Sequence, residues 1–313
     1  MKAVRFHEVG GPDVLRVEDV EIPDPAAGQV RVRVAASAFN AADNGMRAGF
    51  LPIPITLPHT PGYDVSGTVD ALGAGVDTLE VGQPVVGFLP MEADGGAAEY
   101  VVAPADSLAP APREVPLSDA AALPSVALTA WQALFDDGGL EPGQRLLIVG
   151  AGGAVGAHAI RLARRGGAHV IATASPRSLA AVHAAGADEI VDHTSQSLLD
   201  AVTEPVDVLL NLAPIDPEEF TALVGLVRDG GIVVSTTAYM ATPGDHTRGV
   251  RAATVFVRAD RARLAEIVDL VDAGHLTVEI DRRIGLEELP ALHAEASAGP
   301  VAGKVVVLAS DHA

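Results

Sequence analysis

The stretch Leu146 to Gly167, LLIVGAGGAVGAHAIRLARRGG, constrains the fold more than any other part of the chain. An apolar run passes through four glycines in seven residues directly into a helical pattern. Gly150, Gly153 and Gly156 are spaced G-x-x-G-x-x-G; the shorter dinucleotide template G-x-G-x-x-G fails because its last place is Val155. A strand, a glycine turn and a helix are what a dinucleotide loop requires. Glycine permits the turn and a close backbone approach, and the helix N-terminus attracts a pyrophosphate. Taken alone, the loop fits a ligand-free connection equally well.

The next strand separates the two. In an NAD-binding unit an Asp or Glu about 20 residues past the loop accepts hydrogen bonds from the ribose 2′-OH. Here the run HVIATA ends in Ser175, Pro176 and Arg177, and no acid occurs between Gly150 and Asp188. A hydroxyl and a guanidinium suit a 2′-phosphate, which an acid would repel. The expected cofactor is NADPH, with Gly150, Gly153, Ala154, Val155 and Gly156 at the phosphates and Ser175 and Arg177 at the 2′-phosphate.

The surroundings repeat the strand and helix alternation. From about Ser118 the chain reads as a helix over LSDAAALPSVALTAWQALFDD with Ser118 as N-cap, then RLLIV, a helix over Ala154 to Arg165, and AHVIATA. A helix around Ser178 to Ala185, DEIVD, VDVLLNLA, a helix over Pro217 to Val227 and GGIVVSTTA follow. Strands apolar on both faces, alternating with helices, predict a doubly wound parallel sheet. Residues 1 to about 118 differ: short valine-rich runs lie between Pro, Gly and Asp turns, with no helix of comparable strength. In QVRVRVAA, Val30, Val32 and Val34 alternate with Gln29, Arg31 and Arg33, the period of a half-buried strand. After about Asp260 come a helix RARLAEIVDLVDAG, an extended LTVEIDRRI, a helix LEELPALHAEASAG and a final strand KVVVLAS.

Composition removes several function classes. With 41 Asp+Glu against 21 Lys+Arg the net charge is -20, which opposes nucleic acid and anionic membranes. The absence of cysteine excludes disulfides, thiolate catalysis and cysteine-built zinc sites. There is no apolar leader and no run of about 18 apolar residues, so a cytoplasmic protein is expected. The length of 313 residues and 49% hydrophobic content supply ample core.

The stretches FNAADNGMRAG, LPHTPGYDVSGTV, AAEYVVAP, AALPSVALTAWQAL, GAGGAVG, GADEIVD, GGIVVS and the terminal GKVVVL resemble the medium-chain dehydrogenase/reductase superfamily, in its zinc-free quinone oxidoreductase branch. The likeness covers almost the whole chain. It implies a GroES-like β domain of residues 1–120, to which 260–313 return, and a Rossmann NADPH-binding domain of 121–259 inserted between. It also implies a homodimer. Zinc-dependent relatives carry Cys-x-x-Asp, Gly-His-Glu and a further Cys. At those places this chain has Asn40 ahead of Asp43, Gly62-Tyr63-Asp64, and Ser125, so no metal is expected. By the same resemblance Asn40 is a polar contact at the nicotinamide or substrate carbonyl, and Tyr63 a hydrogen-bond donor or proton source. Thr129 touches the carboxamide, and Asn211 and Lys304 join the cofactor set. Asp43 and Asp64 are read as loop-holding, His59 as an ordinary loop histidine and Trp131 as core.

A chain without a Lewis acid favours acceptors that delocalise incoming charge, so the expected reaction is hydride transfer from NADPH to a quinone or an α,β-unsaturated carbonyl. The alternatives are an enoyl reductase of natural-product biosynthesis and a catalytically idle NADPH-binding protein.

Overall fold

The valine alternation at residues 30–34 becomes the longest strand of the protein, with Val30, Val32 and Val34 buried beneath it. The computed structural model describes residues 1–237, 239–299 and 301–310. One unit is built from Met1–Ser125 and the chain from Ala259 onward, and a second from Val126–Arg258.

In the first unit β1 (Lys2–Phe6) and β2 (Leu15–Asp19) form an antiparallel pair. They are followed by β3 (Gln29–Phe39), the helix α1 (Ala41–Arg47), β4 (Asp64–Leu72), β5 (Pro84–Phe88), β6 (Tyr100–Pro104) and β7 (Leu108–Pro110). α1 interrupts a segment whose sequence reads as strands and turns. Its signal was Asn40 followed three residues later by Asp43, whose Oδ2 accepts the Asn40 backbone N–H at 2.7 Å, as an acid in a first helical turn does.

The predicted helix starting at Ser118 is in fact broken. α2 (Leu117–Ala120) begins one residue earlier, after Pro116, so Ser118 lies inside it rather than capping it. A fresh helix α3 (Pro124–Trp131) follows, continued by a π-helical turn at Gln132–Asp136. Pro124 has no N–H to give to the preceding turn, and proline is tolerated only at a helix start, so the chain restarts there.

The second unit then runs β8 (Arg145–Val149), α4 (Ala154–Arg165), β9 (His169–Ala174), α5 (Leu179–Ala185), β10 (Glu189–Asp192), α6 (Leu198–Ala201), β11 (Val206–Asn211), α7 (Pro217–Leu223), β12 (Val227–Ser235) and β13 (Arg251–Thr254). The strands form one parallel sheet in the order β10-β9-β8-β11-β12-β13. The direction of winding reverses between β8 and β11. In open α/β sheets that switch point, at the carboxyl ends of the strands, is where ligands bind. Leu147, Val149, Ile171, Leu209, Phe220 and Val233 form a core on one face of the sheet. α7 ends before the predicted Val227, because a short 3-10 turn at Val224–Leu226 leads straight into β12.

The chain returns to the first unit with α8 (Arg261–Asp272), β14 (Arg282–Gly285), α9 (Leu289–Ala298) and β15 (Val305–Leu308). The main sheet there is ordered β14-β15-β3-β4-β5-β7, with β6 also on β3. Its packing includes Phe6, Phe39, Leu289, Leu292, Val305 and Val307. Of the extended LTVEIDRRI, Arg282 and Arg283 begin the strand β14.

Candidate functional site

Within the second unit, the glycines at the head of α4 do different jobs. Gly150 has φ +82°, a left-handed conformation, and a Cβ there would sit 2.7 Å from that of Ala213 on the next strand's exit. A Cβ at Gly152 would fall 2.5 Å from the Ser178 side chain, and one at Gly156 would strike the Ala151 carbonyl. These three are demanded by the chain's own packing. Gly153 is not: its φ is -89°, and a Cβ there would meet nothing nearer than the Gly150 carbonyl at 3.6 Å. It is the N-cap of α4, yet no side chain caps the helix. The first-turn amides of Ala154 and Val155 thus have no side-chain cap, and the positive helix end lies behind them, which fits a bound pyrophosphate.

The turn after β9 stands beside this loop. The Gly150 N–H donates to Thr173 Oγ1 at 2.9 Å, and Ser178 packs on Gly152. Ser178 Oγ accepts the Ser175 N–H at 3.0 Å, and the two hydroxyl oxygens lie 3.4 Å apart. Ser178, three residues along from Ser175, is a wall of the loop, whereas its sequence position marked only a helix start. Arg177 is exposed, and its guanidinium has no partner among the described residues. Asp188, the first acid after the loop, is spent at the other end of β9: it accepts the Val170 N–H at 2.8 Å and pairs with Arg164 at 2.5 Å. Thr129 is half-buried on α3. Asn211 departs from its expected role: it is fully buried at the end of β11, its amide directed at Ser235 and Thr237 and accepting the Ala213 N–H at 3.3 Å. Its side chain ties β11 to β12, with none of it presented to a ligand.

In the first unit three strand ends meet. β15 runs antiparallel to β3 with Val305 opposite Phe39, which places Lys304 across from Asn40, and β4 starts at Asp64 opposite Ala38. Lys304 is 4% exposed and Asp64 0%. The Lys304 ammonium donates to Asp64 Oδ2 at 2.9 Å, to Asn40 Oδ1 at 2.6 Å and to Ser125 Oγ at 3.5 Å. Ser125 closes the ring, with its hydroxyl 2.6 Å from Asp64 Oδ2 and its N–H 2.7 Å from Asp64 Oδ1. The Asn40 amide donates to Asp64 Oδ2 at 3.0 Å and, weakly, to the Ala38 carbonyl at 3.4 Å. Because an ammonium only donates, Asn40 must turn Oδ1 toward it, and the amide orientation is fixed. Lys304, expected among the cofactor contacts, thus spends its charge inside this cluster, and Asp64 does more than hold a loop.

Asp43 does hold one, through the Gly62 and Asn40 N–H groups at 2.8 and 2.7 Å. Burial pushes its carboxyl up to about 7 against the pull of those two bonds. Tyr63 is 1% exposed, and its hydroxyl lies 3.1 Å from His59 Nε2. Burial raises the phenol and lowers the imidazole, so the pair is neutral. His59 is consequently no ordinary loop histidine: it is buried and holds the phenol expected to serve as donor.

A zinc ion does not fit this site. Asn40, Tyr63 and Ser125 supply an amide, a tethered phenol and a hydroxyl, and the space between Asn40, Asp64 and Ser125 is filled by an ammonium. Among the described residues no group of three or more His, Cys, Asp or Glu is placed to hold a metal.

Comparison with known proteins agrees with this architecture. Residues 26–113 match an alcohol dehydrogenase GroES-like domain, and residues 185–307 match a zinc-binding dehydrogenase domain. A chloroplastic quinone oxidoreductase of Triphysaria versicolor is 32% identical over 327 residues, covering 98% of both chains. A 2-methylene-furan-3-one reductase of Solanum lycopersicum is 33% identical, covering 78% of this chain and 64% of its own length. A solved structure titled as an NAD-dependent alcohol dehydrogenase superposes with a TM-score of 0.90 at 32% identity, covering 99% of this chain and all of its own. Members of this family bind a nicotinamide cofactor. With a relative this similar along its whole length, the chain belongs to the medium-chain dehydrogenase/reductase superfamily, in its quinone oxidoreductase-like branch, and is an oxidoreductase.

Proposed function

We propose that this protein is a metal-independent, NADPH-dependent reductase of quinones or α,β-unsaturated carbonyls. The observation that carries the reading is the pairing of an uncapped helix head at Gly153 with an unpartnered Arg177 on the adjoining turn, where no acid stands. When bound, the nicotinamide supplies hydride to an electron-poor carbon. The chain's own groups bind and orient. The amides of Ala154 and Val155 hold the pyrophosphate at the turn that the Gly153 N–H closes on the Gly150 carbonyl, Ser175 and Arg177 the 2′-phosphate, and Thr129 the carboxamide. Asn40 is held rigid, and its long hydrogen bond to Ala38 is the one it can exchange for a substrate carbonyl.

Quinones and enones carry the reacting electrons into a delocalised anion, which lowers the need for a metal to polarise oxygen. The similarity to a 2-methylene-furan-3-one reductase supports the enone side of the reading. We expect a homodimer through β13, the edge of the parallel sheet, where Arg251 and Ala252 are exposed.

The test is oxidation of NADPH, followed by absorbance, against a panel of quinones and enones after exhaustive chelation. Turnover unchanged by chelation is expected; loss restored by zinc overturns the metal-free reading, and tight NADPH binding without turnover on any acceptor favours an idle binding protein. Arg177→Ala is expected to raise KM for NADPH about tenfold or more while leaving that for NADH within about twofold. Equal effects on both would show that Arg177 does not read the 2′-phosphate.

A further inference from the structure

Only Lys2 and Lys304 are lysines among the 21 Lys+Arg of the sequence, and everywhere else the chain carries its positive charge on arginine. Lys2 is a surface residue paired with Glu287, its side chain 52% exposed. Lys304 is the opposite case, an ammonium 4% exposed with three oxygens converging on it, from Asp64, Asn40 and Ser125. Three donors arranged around one nitrogen match three oxygens around one point, which a planar guanidinium cannot do. Three of the surrounding oxygens belong to Asn40, Asp64 and Ser125, and two of those residues stand where the family's zinc enzymes place ligands.

We infer that this cluster is a cation site whose resident cation is the chain's own ammonium, and that Lys304 is a positioning residue for Asn40. It keeps the site closed to divalent metal and, by claiming Oδ1, fixes the amide so that its one donor group, Nδ2, points at Asp64 and the Ala38 carbonyl. The role assigned to Asn40 rests on the reductase reading above; the identity of the resident cation does not. The alternative is charge balance alone, in which Lys304 exists to neutralise Asp64. The two differ in what happens when both charges are removed together.

The sequence makes the experiment clean. Selective 15N labelling of lysine yields two ammonium signals, and labelling of asparagine yields three side-chain amides, from Asn40, Asn44 and Asn211. In the wild-type protein one ammonium is expected to exchange slowly with water, unlike that of Lys2. Two ammonium groups exchanging equally fast would overturn the inference without any variant being made. In Lys304→Met the Asn40 amide resonance is expected to move while those of Asn44 and Asn211 stay; an unmoved Asn40 amide overturns the positioning role. The double variant Asp64→Asn/Lys304→Met then removes the buried charge imbalance. We expect it to recover the melting temperature lost by Lys304→Met and to remain about tenfold or more down in kcat, with KM for NADPH within about twofold. Recovery of kcat along with stability would reduce Lys304 to charge balance. Zinc uptake by the wild-type protein that disappears in Asp64→Asn would refute the claim that the ammonium occupies the cation's place. Should the wild-type enzyme reduce no quinone or enone, the reductase reading fails, while the two labelling experiments still decide the resident cation.

Discussion

The head of α4 and the Asn40–Asp64–Ser125–Lys304 cluster are built on opposite plans. At the head of α4 no side chain caps the first turn, and a Cβ at Gly153 would meet nothing nearer than 3.6 Å. At Lys304 every donor of the ammonium has an oxygen, and the charged pair is almost wholly buried. An open set of donors marks a place where something outside the chain completes the structure, and a closed set marks a place where the chain has completed itself. Backbone amides cost nothing to keep exposed, since water satisfies them until a ligand arrives. A buried carboxylate has no such option and must be answered from within.

The contrast breaks most readily at the closed site. Asp64→Ala leaves the ammonium buried without a counter-charge, and a loss of about 3–5 kcal/mol is expected in denaturant unfolding. A loss below about 1 kcal/mol would mean that the cluster relaxes to admit water and is not closed.

Closure of the first unit is also visible to pH. His293 is 0% exposed, and burial, reinforced by the neighbouring Arg47, lowers its imidazole to about 3. It is neutral in the fold, while the unfolded chain takes up a proton below about 6.5. The stability it contributes is therefore present above pH 6.5 and lost as pH falls toward 3, about 2 kcal/mol of it between pH 7 and 5. Asp43 works in the opposite sense. Its carboxyl, raised to about 7, takes up a proton in the fold before the unfolded chain does, so its contribution grows as pH falls from 7 to 4. His293→Gln should flatten the acid limb of unfolding midpoint against pH, whereas Asp43→Asn should steepen it. A midpoint-against-pH curve that neither substitution alters would show that neither group titrates as its burial dictates.

The open site predicts a separation of folding from binding. Gly156→Ala puts a methyl group against the Ala151 carbonyl and is expected to destabilise by about 1–3 kcal/mol. Gly153→Val brings its Cβ no nearer than 3.6 Å to another atom and is expected to leave stability within about 1 kcal/mol, yet to weaken NADPH binding about tenfold, read by calorimetry. Unchanged affinity in Gly153→Val would show that the helix head holds no phosphate.

The two sites also differ in how much of them the sequence disclosed. The glycine loop is contiguous, and its residues follow one another within a single turn, so spacing along the chain is spacing in space. The turn holding Ser175, whose N–H donates to Ser178 Oγ beside Gly152, stands one strand further on and was placed next to the loop by the same local spacing. The cluster is assembled from residues 40, 64, 125 and 304, which three strand ends and a helix start bring together, and no local pattern announces that. The family resemblance marked Asn40, Tyr63 and Ser125 as places without zinc ligands, but the cation that fills the gap comes from the far end of the chain. α1 escaped because seven residues give too little periodicity, and its capping acid was the one cue. Asn211 and Tyr63 show the converse. Each has the right chemistry for a ligand contact, and burial has already committed it to Ser235 and Thr237 in one case and to His59 in the other.

The burial of Lys304 also gives the protein an optical and chemical handle. Amine-reactive dyes can couple to the folded chain at the exposed Lys2, while the Lys304 amine is buried at the start of β15. Its acylation requires the strand ends around it to part, so label appearing on Lys304 reports opening of the first unit directly. The labelling rate, followed in native buffer over hours, measures the free energy of that opening with no denaturant and no engineered probe.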